Sequence, residues 1–247
     1  MLRGLYTSAS SLTNLLKKNE VCANNLANTD TNGFKKQGTV SKTFAETLLY
    51  HLDYEKGPQG VKTPIGTLGK GVVLDEVYTN YNQGALENTG GQLDIALEGQ
   101  GFLVVEDTAG NQFYTRNGSL KLRPEGILTT QTRHIVRGTG GPIQINGSNI
   151  NITEQGEVYV DGQLAGVLQV VDITNPYKVG DSLVQGENPT PQTQTKIRQG
   201  FVEKSNVSAV EEMTRLITIM RAYETNQKVI QAYDNTLDKL INQGGNL

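Results

Sequence analysis

Tryptophan is absent from this 247-residue chain, cysteine occurs once and phenylalanine five times. Each scarcity removes a class of explanation. A single cysteine, Cys22, allows neither an internal disulfide nor a cysteine-rich metal cluster, and it leaves the redox compartment undetermined. No apolar run approaches the ~20 residues needed to span a bilayer, so membrane insertion is not expected. An excess of positive charge is missing too. The 22 basic and 25 acidic residues leave a net charge of -3, which offers no attraction toward nucleic acid or an anionic surface. The opening stretch MLRGLYTSASSLTNLLKK is interrupted by polar residues throughout and lacks the apolar centre of a signal peptide. If the protein leaves the cytosol, the expected route keeps its N-terminus uncut.

What is plentiful is glycine, at 28 residues, together with Asn, Gln and Thr, a composition that suits a turn-rich β domain. The two ends read differently. From the start, Leu2, Leu5, Ala9, Leu12, Leu16, Asn19, Ala23 and Leu26 fall on alternating steps of three and four, a narrow apolar seam along a helix. Near the other end, Met213, Leu216, Met220, Tyr223, Gln227, Ile230, Asp234, Leu237 and Ile241 repeat that spacing. Ser205 or Ser208 can cap its start, the latter with Glu211 three residues on as a capping box. At 1.5 Å per residue this helix runs roughly 50 Å, too long and too thinly apolar for an ordinary core helix.

Between them lie short β-branched or aromatic runs such as GVVLDEVYT, LDIAL, GFLVVED, NQFYTR, HIVRG and EVYVDG, separated by Asn-Gly, Gly-Gly and Pro-Glu-Gly turns. The expected fold is mainly β with α-helical termini: coiled-coil helices at the N- and C-termini paired around one central all-β domain. The expected boundaries are 1–40 for the N-terminal helix and hinge, 41–75 for a linker or extended arm, 76–204 for the β domain and 205–247 for the C-terminal helix. The segment KGPQGVKTPIGTLGKG, 56–71, reads as linker from its Gly and Pro content, and GENPTPQTQT, 186–195, as a second loop.

Catalytic patterns fail on spacing. GTLGKG, 66–71, has two residues between glycines where a phosphate loop needs four, and it lacks the hydroxyl after Lys70. RGTGGP, 137–142, lacks the third glycine of a dinucleotide fingerprint and reads as a turn. His51 and His134 stand far apart without a metal-ligand pattern. Asp94 with Glu98, or Glu106 with Asp107, would have to flank a sugar to act as a glycosidase pair, and the scattered aromatics speak against a sugar platform. Cys22 lies inside the helix and reads as a small packing residue. No catalytic, cofactor-binding or metal site and no cofactor is expected.

The most distinctive stretch is ANNLANTDTNGFKK, 23–36, where the helical pattern breaks into Asn, Thr, Asp and Gly. It resembles the signature of flagellar rod and hook proteins, the axial components of the bacterial flagellum, through Asn24, Asn25, Ala27, Asn28, Thr31, Gly33, Phe34 and Lys35. GFVEKSNVSAVEEMTRLITIMRAYETNQ resembles that family's other end, with Glu203, Asn206, Glu212, Met213 and Tyr223 on the pattern. LDIALEGQGFLVV and YTRNGSLKLRPEGILTT resemble its β domain. Within the family, GFLVVEDTAG, YTRNG and GGPI are most similar to proximal-rod members, with distal-rod members the near rival.

The resemblance implies a non-enzymatic subunit of the basal body, stacking helically with copies of itself and with neighbouring rod and hook subunits. It also implies passage through the flagellar type III export machinery, for which Phe44 and Leu48 in FAETL fit a Phe-x-x-x-hydrophobic gate pattern. Leu5, Leu12, Leu16, Leu26, Met213, Leu216, Met220, Tyr223, Ile230 and Leu237 form the expected assembly seam. Asn24, Asn25, Asn28, Thr31, Gly33 and Phe34 form the expected hinge, with Gly33 free to take positive φ. A single narrow seam offsets little of the ordering cost of roughly 1–2 kcal/mol per residue, so the termini are expected to order only when seams of neighbouring subunits meet. A fibre subunit of another kind, or a carbohydrate-active β enzyme, is the alternative.

Overall fold

In the computed structural model, which describes residues 2–53, 61–180 and 182–244, both heptad-patterned ends are helical. Helix α1 spans Leu2–Ala27 and helix α2 spans Ala209–Gly244. α2 starts directly after Ser208, the residue read as its cap, and carries Glu211 and Glu212 in its first turn. The exposed amides there favour negative charge. The chain is mainly β with helical termini. It divides into two units: one holds α1 as far as Leu26, the described part of 37–78, and α2, and the other holds Ala27–Lys36 and Thr79–Ser208.

In the first unit the helices run antiparallel, Gly4 lying against Tyr233 at one end and Cys22 against Glu212 at the other. Strands β1, Gln37–Asp53, and β2, Val61–Thr79, pair as a two-stranded ribbon along α1. Hydroxyl-bearing residues of α1 tie it down. The Val72 amide donates to Ser10 Oγ (3.3 Å), Thr7 Oγ1 donates to the Lys70 carbonyl (3.1 Å), and Ser41 Oγ bonds Asn14 Oδ1 (3.1 Å). The supposed linker 56–71 is thus largely strand: residues 61–71 belong to β2, while 56–60 lie outside the described residues. Its glycines serve close approach rather than slack. A Cβ at Gly69 would strike the Thr43 methyl, and one at Gly71 would strike the Ser10 hydroxyl. Composition cannot distinguish a glycine that leaves room for a neighbour from one that loosens a linker.

The second unit is built from antiparallel strands. Val170–Gly180 pairs with both Leu183–Pro191 and Phe102–Glu106, and Gln112–Thr115 joins the latter two, so four strands close on themselves. Ile135–Gly138, Leu128–Thr130 and Leu120–Leu122 extend this sheet from Phe102–Glu106. A three-stranded sheet, Ile150–Ile152, Glu157–Val160 and Gln163–Val167, and two short pairs complete the unit. Phe102–Glu106 explains the core. Successive side chains point to opposite faces, so Leu103 and Val105 enter a cluster with Leu128, Val136 and Val158, while Phe102 and Val104 enter a second with Tyr114, Val171 and Ile173. Both faces are covered, which is why this strand reads as a continuous apolar run.

Residues 186–195 were expected as loop, yet Leu183–Pro191 is a strand paired with Val170–Gly180. The pairing shifts register three times, and Asn175 and Asn188 adopt positive φ. Asn tolerates that conformation. A bulged hairpin therefore accommodates a composition that local propensity assigns to loops.

Leu128 is completely buried. Leu128→Ala is expected to lower the stability of this unit by about 2–5 kcal/mol, read from urea unfolding of the full chain. Leu164→Ala, at an exposed position, is expected to stay within about 0.5 kcal/mol.

Candidate functional site: the helix seam and a buried clamp

The buried seam is rotated from the one expected. Among the buried and half-buried positions, one line on α1 runs through Leu5, Ser8, Leu12, Leu15, Asn19, Cys22 and Leu26, and one on α2 through Glu212, Leu216, Ile219, Tyr223, Asn226, Ile230, Tyr233 and Leu237. Both keep the three-four alternation. Leu5, Leu12, Leu26, Leu216, Tyr223, Ile230 and Leu237 stand on the seam as read from sequence. Leu16, Met213 and Met220 do not: each is exposed, and its place is taken by Leu15, Glu212 or Ile219.

Ser8, Cys22, Glu212 and Asn226 on this line are small or polar groups, which an apolar template passes over. Their packing explains the preference. A Cβ at Gly4 would enter the Tyr233 ring, so glycine lets the two helices meet there. Asn226 Nδ2 donates to Ser11 Oγ (3.2 Å), and Cys22 Sγ donates to the Glu212 carbonyl (3.1 Å). The first partner of each seam is therefore the other end of the same chain, where the sequence reading looked to neighbouring subunits.

Asn25 closes the α2 end of this seam. Its amide brackets the backbone of Gln37, accepting from the amide (2.9 Å) and donating to the carbonyl (2.8 Å), and it also donates to Glu212 Oε2 (3.2 Å). One buried side chain thus joins the end of α1, the start of β1 and the start of α2. Asn24, its neighbour in the motif, is exposed.

The rest of the motif belongs to the second unit. Two turns follow α1: the Thr31 amide donates to the Asn28 carbonyl (3.3 Å), with Thr31 Oγ1 on Asn28 Oδ1, and the Phe34 amide donates to the Thr31 carbonyl (3.2 Å). Gly33 has φ 69°, and a Cβ there would lie 2.5 Å from the Arg116 and Asn117 backbone. Phe34 is buried, with the Lys178 ammonium 3.8 Å from its ring centre.

Residues 33–35 are gripped by Glu203. The Glu203 carbonyl accepts the Gly33 amide (2.7 Å). Its fully buried carboxylate accepts from Lys35 Nζ, the Gly84 amide (2.9 Å) and Arg116 Nη1 (3.3 Å). Lys35 also donates to the Asn82 carbonyl (2.8 Å), and Arg116 Nη2 to the Gly99 carbonyl (2.7 Å). Three positions on, Asn206 accepts the Lys36 amide (2.7 Å) and donates to the carbonyls of Asn80 and Asn82. Burial pulls Lys35 and Arg116 below their ordinary values, and Glu203 opposes that in both. Residues 33–35 of the expected hinge segment are thus held within the β unit by Glu203. Lys35, Glu203 and Asn206 were visible only as motif matches, and Arg116 only within YTRNG; a charged residue inside an otherwise turn-forming or apolar block was the available signal.

Phe44 and Leu48 stand on β1, both exposed. The carboxylates weighed for glycosidase chemistry have structural partners. Glu98 pairs with Arg198 and Glu106 with Arg137, both at 2.6 Å, and Asp94 accepts from Thr89 Oγ1 (2.7 Å). The His51 side chain lies outside the described residues. Among the described residues there is no cluster of three metal-ligating side chains, and no helix is long and apolar enough to cross a membrane.

Three family models match the chain: "Flagella basal body rod protein" over residues 5–35, "Flagellar hook protein FlgE/F/G D1 domain" over 96–160, and "Flagellar basal body rod FlgEFG protein C-terminal" over 198–243. The flagellar hook-basal body complex protein FlhO of Bacillus subtilis is 32% identical over 271 residues, covering 100% of both chains. The chain belongs to the flagellar basal-body rod protein family.

Other rod-family relatives align over nearly their whole length. The flagellar basal-body rod protein FlgF of Caulobacter vibrioides is 34% identical, over 96% of this chain and 95% of its own. A FlgG of Buchnera aphidicola is 31% identical, over 97% and 99%. The clamp draws one residue from each rod-family segment: Lys35 from the first, Arg116 from the second and Glu203 from the third.

Glu203→Gln leaves two buried cations without their counter-charge and is expected to cost about 3–5 kcal/mol in urea unfolding. Glu98→Gln, at an exposed ion pair, is expected to stay within about 1 kcal/mol. Gly33→Val, forced to positive φ against the 116–117 backbone, is expected to fall with Glu203→Gln rather than with Glu98→Gln.

Proposed function

We propose that this chain is a structural, non-catalytic subunit of the bacterial flagellar basal-body rod. Copies of it stack helically with one another and with neighbouring rod and hook subunits, through the unit formed by the paired terminal helices, and the finished hollow shaft joins motor to hook. The observation that carries this reading is the end-to-end likeness to relatives named as basal-body rod proteins, with family segments at both ends and in the middle.

The geometry supports it physically. The helix-and-ribbon unit exposes Tyr6, Leu48, Ile65, Val210 and Met213, apolar side chains that neighbouring subunits would cover. A two-stranded ribbon alone is marginal in water, so subunits packed beside it would stabilise it. Passage through the flagellar type III export machinery, with the N-terminus uncut, completes the reading. In that role Phe44 and Leu48 act before folding, while the chain is extended. The engagement of Glu98 and Glu106 in ion pairs with Arg198 and Arg137 favours a structural role over glycan cleavage.

The test is complementation of a deletion strain, scored by swimming and by the content of purified basal bodies. Leu12→Asp or Ile230→Asp puts a charge into the helix seam and is expected to abolish incorporation and swimming, while the β unit melts at the wild-type temperature. Normal rods from either variant would overturn the assignment of this unit to assembly.

A further inference from the structure

α2 carries a second stripe that its pairing with α1 leaves uncovered. Val210, Met213, Ile217 and Met220 repeat the three-four spacing on a face turned away from the seam, and all four are exposed. The spacing places them in one line on the helix. At 1.5 Å per residue the line is about 15 Å long. Beyond Met220 the same line continues through Glu224, Gln227 and Gln231, so the apolar part ends there.

The same unit also carries an apolar groove. It has a volume of about 430 Å³ and lies between α1 and the ribbon. Tyr6, Ala9 and Thr13 of α1 form one wall and Phe44, Val72 and Leu74 of the ribbon the other, with Lys17 at one end. It exists because α1 presents short side chains to large ones on the ribbon. From Tyr6 to Lys17 the helix rises about 16 Å, the length of the stripe. No stripe residue lines the groove.

We propose that the groove receives the Val210–Met220 stripe of a second copy of this chain. The inference rests on the rod reading and identifies which surfaces meet in it. Length and apolar character match, and the two methionines are unbranched side chains that adapt to an irregular groove. Symmetry supplies the further argument. A stripe meeting its own counterpart would close a two-fold dimer, whereas a stripe in a groove is a head-to-tail contact that leaves one stripe and one groove open at the ends and so permits continued growth. A shaft requires the second arrangement.

The experiment is disulfide capture in flagellated cells whose only copy of the protein carries Cys22→Ser. Ala9→Cys places a thiol in the groove and Ile217→Cys one on the stripe. Basal bodies are purified after mild oxidation and run without reductant. The chain with both thiols is expected to give a ladder of cross-linked copies. Its dimer band should exceed by about tenfold that of Ala9→Cys combined with Thr225→Cys, an exposed position off the stripe, because docking raises the local thiol concentration. Cross-linking by Ile217→Cys alone at the level of the pair would mean stripe-to-stripe contact and would overturn the proposal. So would basal bodies that contain the doubly substituted chain without a ladder. Absence of the wild-type chain from the basal bodies would instead overturn the rod reading beneath it.

Discussion

A carboxylate removed from water needs counter-charges and donors from several directions, and Glu203 obtains them from three distant parts of the chain. Lys35 arrives from the turn after α1, the Gly84 amide from just past the ribbon, and Arg116 from just past the strand Gln112–Thr115. Its backbone carbonyl holds Gly33. The places where the chain enters and leaves the β unit are therefore gathered around one side chain. The Coulombic gain of such a cluster is largely cancelled by desolvation, whereas loss of any one member leaves an uncompensated buried charge. Asn206 repeats the device without charge, stitching Lys36, Asn80 and Asn82 together.

The helix seam follows a different economy. Small residues bring the two backbones close between its larger apolar contacts. Gly4 under Tyr233, Ser11 beside Asn226 and Cys22 against the Glu212 carbonyl let the backbones approach, and Asn226 and Cys22 find hydrogen-bond partners across the interface. This frees larger apolar side chains, among them Leu16, Met213 and Met220, for the outside of the pair. A seam of that kind commits the two ends of one chain to each other without consuming the apolar surface that association between chains would use.

Much of this was legible in the sequence, and the misses share a cause. Heptad spacing placed both helices, and the β-branched runs placed most strands of the β unit, because periodicity reports which faces are covered. The positive φ of Gly33 was legible as well, since the turn around it demands one. What failed was the inference from residue size and polarity to location. Met213 looked interior and Glu212 did not, yet Glu212 is buried and Met213 exposed. Whether a polar group is buried depends on partners far away in the chain, and local composition carries no record of them. The glycines of 61–71 misled in the same way: they answer to Thr43 and Ser10, which only the fold brings near.

The pairing of α1 with α2 also sets an order of events. Gly4 meets Tyr233 with nearly the whole chain between them, so this contact closes one of the longest loops the molecule contains. A growing chain makes α1 first and α2 last. Until α2 has been made, α1 lacks that partner, whereas the strand pairs of the β unit, down to Phe201–Glu203 with Leu86–Asn88, all lie before α2 in the chain. Long-range closure carries its entropic cost before any contact rewards it. The pairing of α1 with α2 thus waits for a segment made after every strand of the β unit.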